Sequence, residues 1–226
     1  GTRDFIAKGK DFTVNIGLIH GNQPIAGVIY APVHEKLYFS GDSAAYLIHI
    51  APDGELDMSQ AQALNVPAID PTGLRVLASA KHRAKETDEL ITQLHVKELV
   101  GASSSFKFCL VAEGKADLYP RHGRTMEWDT AAGQAILQAA GGVVTTTDHA
   151  PLTYGKLDRG LDNPSFIAAT RNNTVPISAA RIPMMMTLLM PGTTSFQRKI
   201  ELISGKENPR PSPALGTRPA VICANF

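Results

Sequence analysis

The run Glu127-Trp128-Asp129-Thr130-Ala131-Ala132-Gly133-Gln134-Ala135-Ile136-Leu137 constrains the fold most, with Gly141-Gly142 a few residues beyond it. A carboxylate, a string of small residues and an apolar stripe predict a tightly packed helix over residues 127–140. The glycine pair is its C-terminal stop. The small residues also leave room for a ligand above the helix start. Asp129 has two readings. It caps the helix and complements its dipole, or it is an oxygen ligand for Mg²⁺, which takes carboxylates together with phosphate oxygens.

Elements of both periods flank this helix. Phe12, Val14, Ile16 and Leu18 alternate with Thr13, Asn15 and Gly17, which predicts a strand. A turn at Gly21-Asn22-Gln23-Pro24 leads to a second strand over residues 25–30, ended by Pro32. Residues 37–40 and 45–50 complete an antiparallel meander with one solvated face. Residues 51–74 are polar and rich in proline, and read as a junction. Beyond it the texture alternates. Strands are expected at 76–78, 99–100, 118–119 (stopped by Pro120), 143–145 and 166–169. Helices are expected at 85–94, with Leu90, Ile91 and Leu94 on one face, and at 106–112, closed by Glu113-Gly114. This predicts an α+β lobe remnant over residues 1–74 and an α/β lobe over 75–171. Residues 172–226 hold seven of the 15 prolines without sustained periodicity, and read as a disordered tail.

A net charge of +1 argues against nucleic acid as a partner, while leaving room for one anionic ligand in a local basic pocket. Cys109 and Cys223 form no paired motif, which favours a reducing, cytoplasmic setting. The apolar run over residues 184–190 is far short of the roughly 20 residues that span a bilayer.

Several polar groups are candidates for anion chemistry. Ser103-Ser104-Ser105 precedes the helix that carries Lys107, and reads either as simple capping or as a phosphate-binding start with a cation beside it. His82, between Lys81 and Arg83, follows a strand. It belongs to a solvated basic turn or to an anion site at a strand end. Arg121 follows Pro120 and can fork onto a phosphate or stay on the surface. Asp70-Pro71-Thr72-Gly73 is set aside as a metal motif, because it lies in the junction and lacks a second Asp. The chain opens on Gly1-Thr2 rather than Met, so an upstream part is expected.

Taken together, these segments resemble the inositol monophosphatase superfamily. Gly1-Thr2-Arg3-Asp4-Phe5-Ile6, followed by Phe12-Thr13-Val14-Asn15-Ile16, resembles the segment that closes and follows its Asp-Pro-x-Asp-Gly-Thr motif. Trp128-Asp129-Thr130-Ala131-Ala132-Gly133 resembles its second motif. The run from Ser104 to Gly114, then Ala116 to Arg121, is similar to the bacterial 3'(2'),5'-bisphosphate nucleotidase branch. The similarity extends from Gly1 to about Thr170, including Leu161, Asn163, Pro164 and Phe166.

The resemblance implies a layered αβαβα sandwich that here lacks its N-terminal helices and the Asp-Pro-x-Asp strand end. It implies Mg²⁺-dependent removal of the 3'-phosphate from adenosine 3',5'-bisphosphate, giving AMP and phosphate, in sulfur metabolism. It also implies a cytoplasmic setting that allows peripheral inner-membrane association. Gly1 and Thr2 then contact the scissile phosphate, and Thr2 orients the attacking water. Asp129 ligates Mg²⁺ and touches substrate; Ser104, Lys107, His82 and Arg121 hold the nucleotide and its second phosphate. The family's other ligands fall upstream of Gly1, so this chain alone is expected to be inactive. A Ser stands at 103 where the family usually has Gly. An inositol monophosphatase, or a non-catalytic nucleotide-binding fragment, remains an alternative.

Overall fold

The computed structural model describes residues 5–41, 43–78 and 84–170, and the backbone of 221–225. Gly1, Thr2 and His82 therefore lie outside the described residues.

Strands β1 (Val14–His20), β2 (Gln23–Ala31), β3 (Lys36–Ser40), β4 (Ala45–His49) and β5 (Gln62–Leu64) form an antiparallel meander in chain order. Strands β6 (Leu74–Ala78), β7 (Val96–Gly101), β8 (Leu118–Arg121), β9 (Val143–Thr146) and β10 (Phe166–Ala169) form a second sheet in the order β7-β6-β8-β10-β9. It is parallel across β7-β6-β8 and antiparallel across β8-β10-β9. Helices α1 (Lys85–Gln93), α2 (Phe106–Ala112) and α3 (Glu127–Ala139) complete the fold.

The cores fix the layering. Ile29, Tyr38 and Leu47 of the first sheet share one cluster with Phe108, Ile136 and Leu137 of α2 and α3, and with Leu77, Tyr119 and Phe166 of the second sheet. Helices α2 and α3 are thus sandwiched between the two sheets. Leu74, Val76, Leu118 and Ile167 point the other way and meet Leu90, Ile91 and Leu94 around α1, the face expected from the sequence. The order sheet, helices, sheet, helix is the α/β sandwich that the sequence predicts.

Glycine decides how closely α3 approaches the first sheet. Gly17 and Gly27 are cross-strand partners on β1 and β2. A Cβ on Gly27 would stand 2.3 Å from the Ala132 carbonyl oxygen, and one on Gly17 would stand 2.8 Å from the Ala131 Cβ. On the opposite side of the helix, a Cβ on Gly133 would stand 2.5 Å from the Phe108 ring. The small residues of α3 are therefore consumed by packing on both flanks. They do not leave space for a ligand above the helix, as the sequence suggested; only Asp129 and Thr130 at its start reach the cavity between the sheets.

This contact also sets which face of β1 is inward. Thr13, Asn15 and Ile19 are buried, whereas Ile16 is 43% exposed. The inward face is the small and polar one, the reverse of what apolar alternation alone would favour.

Three sequence expectations change. Pro120 does not stop its strand, since it pairs with Ile167 inside β8–β10. The junction contains β5, which extends the first sheet. Within the segment read as a tail, β11 (Val221–Asn225) pairs antiparallel with β1, Ile19 opposite Val221 and Asn15 opposite Asn225. Asp70, set aside as a metal ligand, closes a turn by accepting from the Thr72 N–H at 2.8 Å and hydroxyl at 2.7 Å, and pairs with Lys97.

Both ends of α2 are fixed. Beyond its C-terminus the buried Glu113 carboxylate accepts from Lys36 Nζ at 2.8 Å and Lys115 Nζ at 2.6 Å, and from the Tyr38 hydroxyl. Replacing Gly27 with Ala forces a methyl into the Ala132 carbonyl. Overpacking of this kind costs about 1–3 kcal/mol or more. Gly27→Ala is expected to lower the denaturation midpoint by that equivalent in urea unfolding, whereas Gly21→Ala, with open space around the added methyl but a positive φ of 63°, loses less.

Candidate anion site between the sheets

A cavity of about 330 Å³ opens where β1, the loop after β7, α2, β8 and the start of α3 meet. That volume is at the lower end for small-molecule sites. Its lining brings together Ser104, Lys107, Arg121 and Asp129, four of the residues singled out in the sequence. A second cavity of about 160 Å³ shares Lys107, Tyr119 and Arg121 as a common wall, and continues to Thr87 and His122.

The serine loop is shaped from β1. Thr13 Oγ1 lies 3.0 Å from Ser104 Oγ and 2.7 Å from Ser105 Oγ, and the Ser105 hydroxyl donates to Asn15 Oδ1 at 2.5 Å. Ser105 precedes α2 but makes no capping bond. Simple capping is therefore not what these hydroxyls do. Ser104 takes a left-handed φ of 55°, and Ser103 has no positive φ, so a side chain at 103 carries no backbone penalty.

One of the two cations is desolvated. Lys107 is only 7% exposed, with Nζ 5.0 Å from the centre of the Tyr119 ring. Burial pushes its ammonium down to about 8; Arg121 adds to the fall and Asp11 opposes it. Arg121 NH2 donates to the Arg124 carbonyl at 3.3 Å, while its buried Nε has no protein partner. A buried donor left unmatched among cations points to an anion.

Asp129 stands at the third position of α3, where one oxygen accepts the Met126 N–H at 2.9 Å. It thus closes the helix start, as the first of its sequence readings expects, and lines the cavity at once. Its neighbour Glu127 is buried and accepts the N–H groups of Gly155 at 2.8 Å and Lys156 at 2.9 Å, plus Lys156 Nζ. Thr130 accepts from the Tyr154 hydroxyl at 3.1 Å and from Asn163 Nδ2 at 3.0 Å. A strap from 154 to 163 therefore holds the helix start in place. Thr13, Asn15, Arg124 and Thr130 were missed as site residues by the sequence. The signal for the first two was present: polar side chains on the strand face that alternates with the apolar one.

Among the described residues there is no group of three or more His, Cys, Asp and Glu side chains that could hold a metal ion. Among the described residues of the cavity lining, Asp129 is the one carboxylate. No described helix is long and apolar enough to cross a membrane.

Residues 1–179 match the sequence profile of the Inositol monophosphatase family. The chain belongs to the inositol monophosphatase family. It is 39% identical over 166 residues to the 3'(2'),5'-bisphosphate nucleotidase CysQ of Escherichia coli (strain K12), covering 74% of this chain and 63% of that protein. It is also 64% identical over 69 residues to an uncharacterized protein in the pss 5' region of Rhizobium leguminosarum bv. phaseoli, covering 29% of this chain and 73% of that one. Among solved structures, CysQ from Bacteroides thetaiotaomicron, a bacterial member of the family, superposes with a TM-score of 0.66 at 40% identity, covering 75% of this chain and 66% of that one. The chain thus spans about 63% of the Escherichia coli relative's length.

With burial pushing its ammonium down to about 8, Lys107 is expected to lose its charge as pH rises through that value. AMP holds both phosphate charges across that rise, since its second pKa is near 6. Where AMP occupies this cavity, as proposed below, its affinity in calorimetric titrations is expected to be full at pH 7. It falls as pH rises through 8, by up to about tenfold per pH unit beyond it. Lys107→Arg removes that fall.

Proposed function

We propose that the protein to which this chain belongs is a phosphomonoesterase that hydrolyses the 3'-phosphate of adenosine 3',5'-bisphosphate to AMP and phosphate. The observation that carries this reading is the convergence of Ser104, Lys107 and Arg121 with Asp129 in one cavity. Hydrolysis transfers the phosphoryl group from the 3'-oxygen to water, and the 3'-oxygen leaves with a proton. Three equatorial phosphoryl oxygens carry the charge in such transfers, so positioning and electrostatic stabilisation dominate.

Within that scheme Lys107 and Arg121 bind and orient the phosphates, with Arg121 Nε the donor that an anion satisfies. Ser104 presents its hydroxyl from a loop whose shape is set by Thr13. The resemblance assigns Gly1 and Thr2 to the scissile phosphate, Thr2 to orienting water, and His82 to the nucleotide. Mg²⁺ is the implied ion; when bound it neutralises phosphoryl oxygens and lowers the pKa of attacking water. Asp129 is the residue offered to it here. One carboxylate does not by itself assemble a site for two or three ions, and no step is routed through metal from these residues. The described chain is accordingly expected to bind nucleotide without turning it over.

The smaller cavity behind Lys107 favours a nucleotide over a compact inositol phosphate. It shares both cations with the larger one, and so gives a second anionic group a place beside the first. The lone carboxylate supports the alternative that this fragment only binds nucleotide. The absence of a paired cysteine motif, with Cys109 buried as a free thiol, accords with a cytoplasmic setting.

Two measurements test the proposal. Calorimetry on the 226-residue chain is expected to show AMP binding with and without Mg²⁺, while a phosphate-release assay with adenosine 3',5'-bisphosphate and Mg²⁺ stays at blank. Turnover above blank overturns the expected inactivity. Lack of AMP binding in both conditions overturns the nucleotide reading. A full-length protein carrying this chain is expected to prefer adenosine 3',5'-bisphosphate to inositol 1-phosphate, and the reverse preference overturns the substrate assignment.

A further inference from the structure

Asp11 does not line the cavity, yet it is bonded to two elements that shape it. Its Oδ2 accepts the Ser103 N–H at 2.9 Å, and its Oδ1 lies 3.0 Å from His34 Nε2. The His34 ring in turn stacks on Phe106, the first residue of α2, with centroids 4.5 Å apart and planes 17° apart. One carboxylate thus joins the approach to β1, the short helical turn after β2 and the loop after β7.

That loop needs holding. Ser104 sits at φ 55°, a conformation that costs a non-glycine residue roughly 1–2 kcal/mol and persists only where the surroundings over-determine it. The restraints come at three consecutive residues. Ser103 is held by Asp11, Ser104 by Thr13, and Ser105 by Thr13 and Asn15. All of the holding groups belong to one five-residue stretch of chain. Lys107 follows two residues later, at the start of the helix that His34 stacks against.

We infer that Asp11 is a positioning residue for the anion cavity, resting on the reading of that cavity as a phosphate site. Its carboxylate fixes the Ser103 amide, and with it the strained turn that aims Ser104 and delivers Lys107. Asp11 also carries a charge that Lys107 senses. Position and charge are therefore two distinct ways for it to act, and they respond differently to substitution. Asn at 11 keeps one acceptor for the Ser103 N–H, and its amide donates to His34 Nε2 once the imidazole carries its proton on Nδ1, but it has no charge. Ala keeps neither.

Hydrogen–deuterium exchange and AMP calorimetry on the 226-residue chain separate these. In Asp11→Ala, exchange of peptides covering residues 102–106 is expected to rise about tenfold, and AMP affinity to fall by a similar factor. Asp11→Asn is expected to restore both to within about threefold of the native chain, the size of a single neutral hydrogen bond. Unchanged exchange in Asp11→Ala overturns the inference. So does an Asp11→Asn variant that matches Asp11→Ala in both measurements, because Asp11 then acts by charge. Should Asp11→Ala not fold, Asp11→Leu keeps most of the side-chain volume and removes the bond to the Ser103 N–H. Faster exchange over residues 102–106 in that variant supports the inference, and native exchange overturns it. If the native chain binds no AMP, the nucleotide reading fails, and the exchange data alone decide the role of Asp11.

Discussion

Backbone-to-backbone contact between α3 and the first sheet is the constraint on which the remaining structure depends. The glycine pair of β1 and β2 admits Ala131 and Ala132 so closely that no side chain can intervene. The helix is then wedged from behind by Phe108 of α2 against Gly133. Interiors this dense transmit displacement instead of absorbing it. The position of Asp129, one turn N-terminal to these contacts, is inherited from them. So is the position of α2, and through it that of Lys107.

The same contact explains why the inward face of β1 is polar near the cavity. Small residues suffice where the helix lies, and beyond the helix start the face opens onto Ser104 and Ser105. Thr13 and Asn15 are there to satisfy hydroxyls, not to fill a core. Each of these buried polar groups has a partner, which is the condition for such a network to rigidify a site and not weaken it. The strap from 154 to 163 does for α3 what Thr13 does for the serine loop. Buried Glu127 gathers two backbone amides and an ammonium beside the site carboxylate. Breaking a buried pair of this kind by removing one partner costs about 3–5 kcal/mol.

The meander, and most of the three helices and the second sheet, were legible because their periods are clean. Residues 106–112 and 166–169 also fall where expected, although every residue in them is buried and neither shows a period; largely apolar runs marked them, with Glu113-Gly114 as the helix stop. Pro120 was misread because a proline is excluded only from positions that must donate, and this strand tolerates its ring opposite Ile167. β5 was hidden by its length of three residues. β11 was hidden by its distance in sequence: nothing local marks residues 221–225 as partners of residues 15–19. Ser104, Lys107 and Arg121 were singled out because their residue types suit anions, and Asp129 because a carboxylate suits a cation or a helix start, whereas Thr13 and Asn15 suit many roles until a partner 90 residues away is seen. The small run after Asp129 misled in the other direction, since smallness serves packing as readily as binding.

Lys107 is buried and holds its proton less tightly than a solvated lysine does. Most lysines that meet an anion must first shed bound water, and that dehydration opposes association. Here most of the side chain is buried when the chain folds, and its ammonium lies 5.0 Å from the centre of the Tyr119 ring. The free-energy cost sits in the stability of the protein, where Glu113 and its partners brace the same helix. On the phosphate-site reading proposed above, an arriving anion meets a cation whose dehydration is already partly complete. On that reading the cavity favours doubly charged groups, and a singly charged analogue is expected to lose more here than its charge alone would suggest.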